Sequence, residues 1–100
     1  MIEKTYQFTL AAEDRLIEKI VDDAGCTINH MILPKCTEVP RHMANANVYL
    51  LVIGGTMQLY LGEQEAHAYP AGSIVNLPNG TMMNIRNEDE EQLSFIVVKI

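Results

Sequence analysis

Alternation of period two dominates the chain. Between Lys4 and Leu10, the apolar Tyr6, Phe8 and Leu10 interleave with Thr5, Gln7 and Thr9, the pattern of a strand with one buried face. Cys26 to Leu33, rich in Ile and Thr and ended by Pro34, reads the same way, as does Thr56 to Leu61, where Met57, Leu59 and Leu61 alternate with Thr56, Gln58 and Tyr60. Val48 to Ile53 is apolar at every position, as expected of a central strand covered on both faces. Gln64 to Tyr69, Ser73 to Leu77, Met82 to Asn87 and Leu93 to Ile100 complete a series of short runs. Their separators are Gly54-Gly55, Gly62, Pro70-Ala71-Gly72, Pro78-Asn79-Gly80 and the acidic loop Glu88 to Glu91. Turn signals recurring about every 8 to 12 residues predict an all-β sandwich or barrel. Pro70 at the second and Gly72 at the fourth position of a turn suit type I.

Ala11 to Asp23 pulls two ways. Leu16, Ile17, Ile20 and Val21 recur at helical spacing and Glu13 and Asp14 suit a helix start, which leaves room for one short N-terminal helix. Asp22 to Gly25 is a hairpin turn signal, and beside it the segment is assigned mainly to strand.

A length of 100 residues makes one domain, 1–100, and 48% apolar with 20% charged residues places it among globular chains. Seven Lys and Arg against thirteen Asp and Glu give a net charge of −6 with no basic run, which argues against nucleic acid as a partner. The longest uninterrupted apolar run, Val48 to Ile53, is far short of the roughly 20 residues of a membrane-spanning helix, so no membrane partner is expected. Met1 to Leu10 lacks the charge and cleavage pattern of a secretory signal, which makes a cytoplasmic location the default. Cys26 and Cys36 are too few for a disulfide framework and are expected to remain thiols.

The punctuation carries a resemblance. Pro34-Lys35-Cys36 at a turn, His42, Ala44, Tyr49 and Gly55 form one spaced set; Pro70, Gly72, Pro78, Met83 and Asn87 form a second. Together they resemble the two-part signature of the cupin superfamily over about residues 20–98, with the core motifs in 34–87. The resemblance implies a jelly-roll, a double-stranded β-barrel. It also implies a place for a metal held by three histidines and a glutamate, which here would be His42, Ala44, Tyr49 and Met83. The register near Asn47 to Tyr49 allows a slip of a residue or two, yet neither Asn47 nor Val48 supplies a carboxylate. One imidazole with a phenol and a soft thioether is a poor donor set for a hard divalent ion. No metal, no cofactor and no catalytic residue is therefore assigned, and the balance leans away from an enzyme. The alternative is a dioxygenase- or isomerase-type enzyme with one divalent transition metal near His42.

In the same alignment His42, Tyr49, Met83, Met57, Leu51 and Ile85 would line the barrel, with Ile53 beside them: an apolar bowl with a phenol and an imidazole at its mouth. Such a bowl would either take a small-molecule ligand or serve as plain core. Two other constellations come from the residues themselves. Cys26, His30, Cys36 and His42 are zinc-type ligands, but on a strand Cys26 and His30 stand roughly 13 Å apart. Cys36 with His42 is a thiol-imidazole pair if the turn brings them together. His67 reads as a surface residue. The resemblance further implies a homodimer, and an apolar N-terminal strand, Tyr6 to Leu10, would offer an edge to be covered.

Overall fold

Residues 2–100 are described by a computed structural model. Among them are nine strands and no helix. β1 (Leu16–Asp23) and β2 (Cys26–Leu33) form a hairpin closed at Ala24-Gly25, and its pairing slips between Lys19 and Val21. That bulge is the reason for the helix-like spacing. One extra residue in a strand shifts its facing by one, so Leu16 and Glu18 share a face with Val21 and Asp23. The hairpin assignment therefore holds from Leu16 onward, and the possible N-terminal helix is absent from the described residues.

β3 (Thr37–Met43) follows the Pro34 turn, and β4 (Val48–Gly54), β5 (Thr56–Leu61), β6 (His67–Pro70), β7 (Ile74–Leu77), β8 (Met82–Asn87) and β9 (Leu93–Lys99) complete the chain. A five-stranded sheet of order β1-β2-β9-β4-β7 faces a four-stranded sheet of order β3-β8-β5-β6, with antiparallel pairing throughout. This is the expected β-barrel of two packed sheets.

β3 has no counterpart in the sequence reading, because Glu38, Pro40 and Arg41 interrupt any alternation. Proline removes a ladder donor and is tolerated at an edge or a bulge. Here it has both: β3 is an edge strand, and its register with β8 shifts between Val39 and His42.

Lys4 to Leu10 corrects the reading in the opposite direction. It is not a strand but a strap without sheet pairing, in which Tyr6 and Leu10 are exposed. Phe8 anchors it, its ring 4.6 Å from that of His30 on β2. The segment thus offers no sheet edge to a second copy. The turn after β6 also sits one residue later than expected. Ser73 donates to the carbonyl of Pro70, and Gly72 has φ 93°, the positive angle that the third position of a type II turn demands.

Inward residues of both sheets make one core, in which Leu33, Leu50, Met57, Leu59, Leu93 and Phe95 are fully buried. Asn87 closes one end of it. Its amide donates to the carbonyls of Leu33 (2.8 Å) and Glu91 (2.9 Å) and its Oδ1 accepts from the Asp89 amide, tying down the acidic loop.

Candidate functional site

The other end of the barrel holds a cavity of about 120 Å³. The five-stranded sheet contributes Met31, Val48, Leu50 and Val97 to its walls; the four-stranded sheet contributes Val39, Met83 and Ile85. Its mouth is formed by His42, Asn45 and Lys99. The loop between β3 and β4 is fixed there by backbone bonds: Ala44 donates to Thr81 and accepts from Gly80, each at 2.8 Å, and Ile100 donates to Asn47. The Pro78-Asn79-Gly80 turn thus positions the rim through Gly80 and the Thr81 that follows it.

Of the six residues expected to line the bowl, His42, Met83 and Ile85 do so. Met57 is fully buried in the core but outside the cavity. Tyr49 and Leu51 face the other way. On β4 the buried positions are Val48, Leu50 and Val52, and Tyr49, Leu51 and Ile53 alternate onto the outer face of the sheet. A strand with hydrocarbon on both faces has no alternation by which to choose the inner one, and a slip of one residue exchanges the faces. Reading alone also passed over Lys99, whose signal was present: it continues the inward parity of Leu93, Phe95 and Val97.

With the register corrected, Val48 takes the place of Tyr49 beside His42, Ala44 and Met83. The donor set is then poorer still, one imidazole among hydrocarbon and a thioether, and no group of three or more His, Cys, Asp or Glu that could hold a metal ion occurs among the described residues. These residues do not fit the family's metal. His42 itself is exposed, and its Nδ1–H donates to the Pro40 carbonyl at 2.9 Å, which leaves Nε2 as its open nitrogen.

The remaining constellations are separated by the fold. Cys36 precedes β3 and His42 lies near its far end, roughly 20 Å away at strand spacing, so they form no thiol-imidazole pair. Cys26 and His30 lie on the outer face of β2, away from the cavity. His67 is exposed, as expected.

A buried polar network escaped the sequence reading altogether. His30 is fully buried; its Nδ1 bonds Glu18 at 2.9 Å and its Nε2 bonds Ser94 at 2.8 Å. Glu18 also accepts from the backbone N–H and the hydroxyl of Thr9, each at 2.9 Å, so the strap is fastened to the sheet through this carboxylate. The Thr9 amide bond, then the His30 contact, hold the Glu18 pKa below its ordinary 4.5. A carboxylate with a depressed folded pKa stabilises the fold fully above its unfolded pKa, and that contribution is lost as the pH falls through the lowered folded value. The denaturation midpoint is therefore expected to drop more between about pH 6 and about pH 3 in the native protein than in Glu18→Gln. Equal acid sensitivity in the two, measured by urea titration, would remove this role.

On the opposite sheet Tyr60 donates to Glu88, whose carboxylate raises the phenol pKa, and Arg86 lies 4.2 Å above the Tyr60 ring while pairing with Glu38 at 3.1 Å. Tyr60 and Glu88 satisfy one another, and Arg86 Nε is engaged by Asn84 at 2.6 Å as well as by Glu38, all on the face of the sheet turned away from the cavity.

Among curated proteins, an uncharacterized protein of Methanocaldococcus jannaschii is 41% identical over 99 residues, covering 99% of this chain and 85% of that one. Among solved structures, an RmlC-like cupin family protein with a double-stranded β-helix fold from the same organism gives a TM-score of 0.93 at 41% identity, covering 99% of this chain and 91% of that one. A cupin superfamily protein from Desulfitobacterium hafniense gives 0.80 at 9% identity, covering 93% and 83%. A Streptococcus pyogenes protein of unknown function gives 0.79 at 18% identity, covering 99% and 90%. The last two are likenesses of fold alone. No family model matches the chain.

Proposed function

The chain belongs to the cupin superfamily, and from that premise we propose that its barrel is a metal-free binding bowl for a small apolar molecule. The observation that carries this reading is the lining. Met31, Val39, Leu50, Met83 and Ile85 enclose space at the open end of a barrel whose other end is filled by Leu59, Leu93 and Phe95. A plain core would close that space with side chains, since protein interiors pack as densely as organic crystals. Three methionines in the lining, Met31, Met43 and Met83, suit an adaptable pocket, because thioether chains refill irregular space at little cost. Ligand sites are typically concave, apolar and edged by a few polar groups.

Turnover is not part of the proposal. The lining holds no hydroxyl, thiol or carboxylate beside His42, so a serine- or cysteine-type nucleophile with its base and a paired-carboxylate scheme both lack their members.

The test uses benzene as a probe and the methionine methyl groups as reporters. An engineered apolar cavity of about 150 Å³ takes benzene, so a space of this size is in range. The Met31 and Met83 methyl resonances should shift saturably, and Met57, buried outside the cavity, should stay in place. Ala44→Leu, which projects into the bowl, should abolish the shifts in a protein that still melts cooperatively. Uniform, non-saturating changes would reject the bowl. Protein purified without an affinity tag should carry no stoichiometric iron, nickel, zinc or copper; stoichiometric metal that disappears in His42→Ala would reject the metal-free reading.

A further inference from the structure

Resting on the bowl reading, we propose that the ligand is a small apolar carboxylate, with its hydrocarbon among Met31, Leu50 and Met83 and its anionic end held at the mouth by Lys99 and His42. The argument begins with charge. The chain carries thirteen acidic residues against seven Lys and Arg, a net charge of −6. Yet no acidic side chain lines the cavity, and its two ionisable residues are a lysine and a histidine. A binding mouth that excludes the commonest charge of its own chain selects for that sign in a ligand.

Lys99 is available for the task. Lys19, Lys35 and Arg86 are paired with Asp22 (3.5 Å), Glu90 (2.6 Å) and Glu38 (3.1 Å). Lys99 has no such partner among the described residues. Asp22 lies in the same cross-strand row, opposite Thr27, which is itself opposite Lys99. Two strand spacings, roughly 10 Å, separate them, and the Asp22 carboxylate is engaged by Lys19. Lys99 is half-buried among the residues that line the cavity, and a lysine so placed rests its methylene stem on apolar surface while its ammonium stays toward water.

His42 is the second contact. Its Nδ1–H is committed to Pro40, so Nε2 is the nitrogen that meets the ligand. The Lys99 ammonium carries the attraction for a carboxylate, and Nε2 adds to it as a donor in the imidazolium form. Asn45 adds an amide at the same edge.

Size and donor type narrow the class. Space for about six heavy atoms in hydrocarbon, with the anion outside it, fits a short branched or cyclic carboxylic acid. Phosphate esters are a poorer match, since no arginine fork lines the cavity.

The test compares 3-methylbutanoate, 3-methylbutanamide and benzene by methyl NMR and calorimetry. The acid and its amide share a hydrocarbon skeleton and differ in charge. The acid should bind the native protein at least about tenfold more tightly than the amide, and Lys99→Met should bring that ratio to about one. His42→Gln, with Lys99 intact, should reduce the ratio by less. An amide that binds as well as the acid, or a preference that survives Lys99→Met, overturns the carboxylate while saturable benzene binding leaves the bowl standing. Absence of saturable shifts with all three probes overturns both.

Discussion

Replacing Gly55 with alanine is expected to destabilise the fold by about 2 to 5 kcal/mol, the sum of an unfavourable backbone angle and a collision with main chain. Gly55 has φ 78°, in the left-handed region where a Cβ is strained. A Cβ built there would collide with the Gln92 carbonyl oxygen and lie 3.0 Å from the Leu93 Cα. Neither atom yields easily. Gln92 ends the acidic loop that Asn87 ties down, and Leu93, fully buried, begins β9. Gly54, its neighbour, has nothing within 4 Å of an added Cβ and no positive φ. Gly54→Ala should therefore stay within about 1 kcal/mol of the native protein. Urea denaturation of the two variants separates the explanations: equal losses would mean that close approach to the β9 backbone is not what Gly55 provides.

His30→Ala is expected to cost about 3 kcal/mol, combining a buried void with an orphaned hydroxyl at Ser94. The ring is fully enclosed between Phe8 of the strap and the outer face of the five-stranded sheet, and both its nitrogens are bonded. Its removal also takes away the surface on which Phe8 rests. The N-terminal strap should then become sensitive to proteases in conditions where β2 and β9 remain protected from hydrogen exchange. If the strap stays resistant, the Thr9 bonds to Glu18 alone hold it and the His30 ring is not its seat.

Much of the architecture was legible because strands that face water on one side advertise it. β5 shows Met57, Leu59 and Leu61 inward, β8 shows Met83 and Ile85, and both match their alternation in sequence. The paired turn signatures then singled out one barrel topology, and the 41% identical relative with its double-stranded β-helix accords with it. Three features were hidden for distinct reasons. β3 hid because an edge strand tolerates Pro40 and charged neighbours. The bulge in β1 imitated helical spacing. The strap alternated like a strand, although only Phe8 of its apolar residues found a seat on the sheet.

For the candidate site the split is sharper. Local sequence determined that few metal ligands exist at the spaced positions, because residue identity needs no coordinates to be counted. Which residues meet across the barrel is a property of pairing register, and on β4 the inward choice of Val48 and Leu50 over Tyr49 and Leu51 is made by the neighbours β7 and β9. Pairing of β9 with β2 and β4 likewise brings Lys99 to the rim occupied by His42 from a sequence distance of more than fifty residues. Alternation along a strand says which residues share a face; only its pairing in the sheet says which face is inside, and that is why the chain alone gave the barrel while the folded molecule gave the bowl.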